Sequence, residues 1–186
     1  VAADRDRGFA RLRAGAFMSA ANGFADGFRV DDGFFVDGVR RSGLGGAQRP
    51  IPAYAGGVSL GFQDPRELVA EAKVHIDAGY KAVKLRLGDT VHNDIDRVEA
   101  VRDAFGDELE ILTDANIGYS VEDVRQVMPG MDELNVAWLE EPFPAHDYRS
   151  YRLARGFGRT PLAAGENHYT RFEFNRVIED GAITIL

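Results

Sequence analysis

Beyond Pro50 the chain alternates between two hydrophobic rhythms. Short apolar runs end in glycine or an acid, and longer stretches bring an apolar residue back every three or four positions. The first rhythm predicts strands and the second amphipathic helices. Residues 51–55 read as a first strand, closed by Gly56-Gly57. Asp64-Pro65-Arg66-Glu67 is a helix start, with Asp as the cap, Pro at the first position and Glu three residues after the cap. Leu68, Ala72 and Ile76 then share one face, and Gly79 ends the helix. Residues 82–87 form a second strand in which Val83, Leu85 and Leu87 point one way and Lys84 and Arg86 the other. Val91, Ile95, Val98, Val101 and Phe105 mark the next helix, stopped by Gly106. A third strand ends at Asp114. Ser120 caps a short helix carrying Val124 and Val127, expected to stop before Pro129. Residues 136–140 are a fourth strand, and a helix is expected after Asp147. Residues 162–164 are a fifth strand. Thr170-Arg171-Phe172-Glu173 reads as a capping box ahead of Phe174, Val177 and Ile178. Gly181 breaks that helix, and residues 183–186 begin a sixth strand.

Strict strand–helix alternation predicts a parallel sheet. Units of this size that close on themselves give a β/α barrel, with its site at the C-terminal ends of the strands. The expected fold is therefore α/β: a modified β/α barrel over residues 48–186, incomplete, with about six of eight strands. An open edge of such a sheet favours assembly. Residues 1–47 behave differently. They hold Asp-Gly pairs at 26–27, 32–33 and 37–38, which favour tight turns, and Phe24, Phe28, Phe34 and Phe35, which want burial. An α+β lid segment and a partly ordered leader are both open readings here.

Composition narrows the chemistry. A net charge of −8 argues against nucleic acid as the main partner, although a bound Mg²⁺ would let an anionic substrate approach. The absence of cysteine removes disulfides and thiolate metal sites. Oxygen ligands remain, and these suit Mg²⁺, Mn²⁺ or Ca²⁺. No apolar run approaches the roughly 20 residues of a membrane span, and residues 1–13 lack a signal-peptide core, so no membrane partner and a cytoplasmic location are expected.

Three strands end in acids: Asp114 after Ile111-Leu112-Thr113, Glu140 after Trp138-Leu139, and Glu166 after Ala163-Ala164-Gly165. From 114 to 140 is 26 positions, and from 140 to 166 is 26 again; a βα unit takes about 30 residues. One acid at a strand end reads as a solvated side chain. Three at matched ends read as a divalent cation site at the mouth of a parallel barrel. Glu141 faces away from Glu140 by strand parity and is expected in a salt bridge. On the neighbouring strand, Lys84 near a metal and a second cation would have its pKa lowered, making it a candidate base. Arg86 stays protonated and suits a carboxylate or an oxyanion. Neutralising the acid cluster is the plainer role for both. Asn116, two past Asp114 on the same face, is a candidate substrate contact, with turn formation the alternative. His168, two past Glu166, is either a substrate contact or a surface residue. His75, His92 and His146 read as solvated or loop residues.

The set Ala82-Val83-Lys84-Leu85-Arg86-Leu87-Gly88, Thr113-Asp114-Ala115-Asn116, Trp138-Leu139-Glu140-Glu141-Pro142 and Gly165-Glu166-Asn167 resembles the mandelate racemase branch of the enolase superfamily, over about residues 45–186. The resemblance implies a modified TIM barrel with an α+β capping domain and Mg²⁺ held by Asp114, Glu140 and Glu166. It also implies abstraction of the proton α to a substrate carboxylate through an enediolate, and a homo-oligomer. The family often has Lys-x-Lys on the second strand, its second lysine a base; Arg86 stands there in this chain, while Lys84 matches the lysine that contacts the substrate carboxylate. The family's other base is a His–Asp pair whose aspartate would be expected just past Leu186. Residues 1–44 do not clearly show the end of a capping domain. The expected activity is a Mg²⁺-dependent acid-sugar dehydratase with Lys84 and Arg86 catalytic. The alternatives are a racemase or epimerase of a 2-hydroxy acid or amino acid, and a non-catalytic metal- or carboxylate-binding remnant.

Overall fold

The computed structural model describes residues 52–56 and 60–186, so the expectations for residues 1–47 lie outside the described residues. Helix α1 (Pro65–Asp77), strand β1 (Ala82–Arg86), α2 (Val91–Phe105), β2 (Glu110–Asp114), α3 (Val121–Glu133), β3 (Trp138–Glu140), α4 (Tyr148–Ala154), β4 (Leu162–Ala163) and α5 (Thr170–Asp180) follow one another. The four strands form one parallel sheet in the order of the sequence. Single parallel bridges, Ala55 to Val83 and Ala163 to Ile185, carry the sheet one position further on each side. The six expected strands are thus all represented, the outer two as bridges. Sequential parallel neighbours joined by helices are the repeating unit of a modified barrel, as the alternation predicted.

Strand parity divides the sheet. Val83, Leu85, Leu87, Ile111 and Leu139 are buried against Leu68, Val98, Val101, Val124 and Val127 from the helices. Lys84, Arg86, Asp114 and Glu140 alternate with them and lie on the other face. Caps fix where the helices begin. Asp64 Oδ1 accepts from Arg66 N at 3.0 Å, and Ser120 and Asp123 form a complete capping box. Asp147 caps α4, as expected.

Several strands are shorter than expected, and two helix boundaries differ. Helix α3 does not stop before Pro129 but runs through it to Glu133. The apolar stripe continues through Met128 and Met131, both fully buried, and that burial offsets the donor that proline lacks. Helix α5 has no capping box from Thr170. Its cap is Tyr169, whose side chain makes no capping bond, and the Glu173 carboxylate accepts from the Tyr169 amide instead. Thr170 already has φ +64°, which removes it from the cap position. Ile178 is exposed while Val177 is buried, because α5 packs mainly on α4. No helix among the described residues is long and apolar enough to cross a membrane.

Candidate functional site

The register places Arg86, Asp114, Glu140 and Ala163 side by side at the C-terminal ends of their strands. Neighbouring parallel strands lie about 4.8 Å apart, so Asp114 and Glu140 bring two carboxylates together at one level. Both residues are only 2% exposed. Lys84, two residues below Arg86 on the same face, reaches up between them. Its Nζ lies 2.9 Å from Asp114 Oδ2 and 3.1 Å from Glu140 Oε2. The cluster of one cation and two acids keeps a net negative charge when all three are ionised.

Further contacts hold each member in place. Trp138 Nε1 donates to Glu140 Oε2 at 3.1 Å. The Asn116 amide donates to Asp114 Oδ1 at 2.9 Å, and Arg86 Nη1 donates to Asn116 Oδ1 at 2.5 Å. Tyr54, on the segment that bridges to β1, stands edge-on to Trp138 with ring centroids 6.1 Å apart. Its ring centroid is 5.7 Å from Lys84 Nζ.

Electrostatics act on each member of the cluster. Burial alone would lower the Lys84 ammonium, but Glu140 and then Asp114 outweigh burial and hold it above the ordinary lysine range. Arg86, the neighbouring cation, is turned to Asn116. Burial raises the Glu140 carboxyl above its usual range; Lys84 opposes that rise and the adjacent Asp114 adds to it. Burial likewise raises the Tyr54 hydroxyl.

The third acid is not gathered. Among the described residues no three His, Cys, Asp or Glu side chains come together closely enough to hold a metal ion, and Glu166 is exposed. Strand β4 ends at Ala163, and a turn closed by the His168 amide on Gly165 O at 3.0 Å carries Glu166 beyond the sheet. Its neighbour Asn167 points back instead, its Nδ2 donating to Glu141 Oε2 at 2.8 Å. Glu141 has no cation partner among the described residues, which corrects the salt bridge expected for it. It is 1% exposed, has φ +39°, and its Oε1 is buried with no hydrogen-bond partner. Burial raises its carboxyl; Asn167 opposes that, and Glu166, Asp114 and Glu140 add to it. His168 is neither a surface residue nor open to a substrate. It is 5% exposed, between the rings of Tyr148 and Phe174 with centroids 6.2 and 6.0 Å away, and both its ring nitrogens lack partners. His92 is exposed, as expected, 3.4 Å from Asp96.

Tyr54 and Trp138 had no assigned role in the sequence reading. Parity signals the tryptophan, since residues 138 and 140 share a face of one strand. Tyr54 carries no such signal, because its segment meets the sheet through a single bridge.

A family described as Enolase C-terminal domain-like matches residues 67–186. The chain belongs to that family. Within it, the relatives and solved structures place the chain on the mandelate racemase and muconate lactonizing side. An arabinonate dehydratase of Saccharolobus solfataricus is 32% identical over 77% of this chain and 39% of its own length. An enolase superfamily structure from Polaromonas sp. JS666 superposes with a TM-score of 0.74 at 51% identity, covering 77% of this chain and 38% of that one. A Streptomyces coelicolor A3(2) racemase with bound magnesium superposes with a TM-score of 0.67 at 28% identity, covering 72% of this chain and 37% of that one. The chain thus spans about two fifths of the length of these family members.

Proposed function

We propose that the protein removes the proton α to the carboxylate of an acid sugar and expels the β-hydroxyl as water. The observation that carries this reading is Lys84 Nζ between Asp114 and Glu140: a positive centre gripped by two buried carboxylates that retain net negative charge. All-oxygen donors of this kind fit a hard divalent cation. Asp114 and Glu140 would hold Mg²⁺ as a two-carboxylate core; the magnesium in the related racemase supports that choice. When bound, the ion supplies charge against the negative charge that builds on the substrate carboxylate.

The chain's own residues do the rest. Arg86, oriented by Asn116, binds a substrate oxygen and cannot act as a base. Lys84, whose Nζ stands at the same mouth beside Asp114 and Glu140, is placed to give a proton to the departing hydroxyl. The C–H pair becomes the new double bond, the β C–O bond breaks, and the hydroxyl leaves as water. The proposed acceptor of the α-proton is the His–Asp pair that the family resemblance implies. The relatedness to an arabinonate dehydratase supports dehydration as one reaction of this family.

Incubation of the protein with a panel of acid sugars in D₂O with Mg²⁺ tests this. Keto-acid product is the expected result. Deuterium at the α-carbon without keto acid would replace dehydration by racemisation or epimerisation. Neither product from any substrate would leave a binding protein.

A further inference from the structure

A second buried cluster lies beside the candidate site and takes no part in the chemistry above. Asp94, in the first turn of α2, is fully buried. Its Oδ2 accepts from the amides of Gly88 and Asp89 at 2.9 and 3.0 Å and from the Tyr119 hydroxyl at 2.6 Å. Its Oδ1 accepts from Arg97 Nη1 at 3.0 Å. Arg97 also donates to Phe62 O and Gln63 O, both at 3.1 Å, and to Asp89 Oδ2 at 3.1 Å. One carboxylate–guanidinium pair therefore ties together three chain segments: residues 60–63 before α1, the β1–α2 turn, and the β2–α3 turn that contains Tyr119.

Each of these segments is attached to Arg86 or Asn116. The Arg86 amide donates to Leu60 O at 2.8 Å. Gly88 follows Arg86 by two residues, and Tyr119 follows Asn116 by three. The two turns also touch backbone to backbone: a Cβ added to Gly88 would sit 2.5 Å from Ala115 O, and one added to Gly118 2.9 Å from Gly88 Cα. Gly88 has φ +103° and Asn116 and Ile117 have φ +43° and +61°, so the turns are held in conformations that side chains resist. Ile117 is β-branched and half exposed, so its own packing does not hold that backbone. A fully satisfied buried charge network can do so.

We propose that Asp94, Arg97 and Tyr119 are positioning residues that fix the Arg86–Asn116 pair at the mouth of the sheet, and so preorganise the arm that receives a substrate carboxylate. The proposal rests on the reading that this mouth binds such a carboxylate. It separates two functions by element: the network serves Arg86 and Asn116, while Asp114 and Glu140 are set mainly by the sheet register, with one further bond from the Asn116 amide to Asp114.

Tyr119→Phe removes one hydroxyl and little volume, and Asp94→Asn keeps the shape while removing the charge. In the full chain, Mg²⁺ and then D-gluconate at saturating Mg²⁺ are titrated by calorimetry, and amide hydrogen exchange is mapped. For Tyr119→Phe, losing one bond to a charged group should weaken gluconate binding about tenfold and speed exchange at 86–90 and 115–119 about tenfold, with Mg²⁺ affinity within about twofold of wild type. Asp94→Asn should do the same more strongly. Exchange that is unchanged, or that rises evenly across the sheet, overturns the proposal, as does unaltered gluconate affinity in a protein that binds it. Wild type that binds no gluconate sinks the carboxylate reading instead, and the exchange pattern alone then decides whether the network holds the two turns.

Discussion

Lys84 sits where two opposing tendencies meet. Taking an ammonium out of water is costly, and so is setting two carboxylates side by side on neighbouring strands. Together the three groups cancel most of that cost, which is why the lysine is charged although its side chain is only 13% exposed. Removing the cation leaves Asp114 and Glu140 facing each other unshielded. Lys84→Met should therefore lower stability by about 3–5 kcal/mol in urea unfolding. A loss below about 1 kcal/mol would mean that the acids are solvated rather than paired. That Lys84 and Arg86 point inward was legible in the sequence, because parity needs only the period of a strand. Which neighbours Lys84 and Arg86 would each meet was not legible. It depends on which charges come within hydrogen-bond distance, and Arg86 turned to Asn116 rather than toward Lys84. Glu141 was misjudged for a similar reason: parity turned it away from Glu140, but its partner is an asparagine from the next unit.

At the scale of elements, local signals worked where one strong capping residue met an apolar stripe. They failed where tertiary burial competed with them. Ser120 capped α3 as read, yet Pro129 did not end that helix, because Met128 and Met131 had a core to fill. The extended helix brings Asp132 to the loop before β4. There its carboxylate accepts from the Arg159 amide at 2.9 and 2.8 Å, from the Thr160 amide at 2.7 Å and from the Thr160 hydroxyl at 2.7 Å. Burial would raise this carboxyl, but the bonds from Thr160 and Arg159 together hold it below its ordinary range. A depressed folded-state pKa contributes stability that is complete above the unfolded value of about 4 and lost as pH falls through the folded one. Unfolding measured from pH 7 to pH 3 should show wild type losing this contribution at the acid end. Asp132→Asn should lose about 2 kcal/mol at pH 7 and show a correspondingly flatter acid limb. Parallel curves for the two proteins would remove Asp132 from the acid response.

For the whole molecule, alternation of strand and helix made the sheet order and the parallel pairing readable before any coordinates. The shared row of Arg86, Asp114 and Glu140 follows from that pairing and from units of similar length. Equal spacing did not suffice for Glu166. β4 is two residues long, and the turn at Gly165 sends the chain past the row, so sequence distance overstated how closely the third acid approaches. Asp114 and Glu140 form the core of the proposed divalent cation site. Calorimetric titration of Mg²⁺ into wild type and Glu140→Gln tests it most directly, because the substitution keeps the side chain's size and removes one anionic ligand. Glu140→Gln should bind Mg²⁺ at least about tenfold more weakly, a change of about 1.4 kcal/mol. Equal affinity in the two proteins would contradict it.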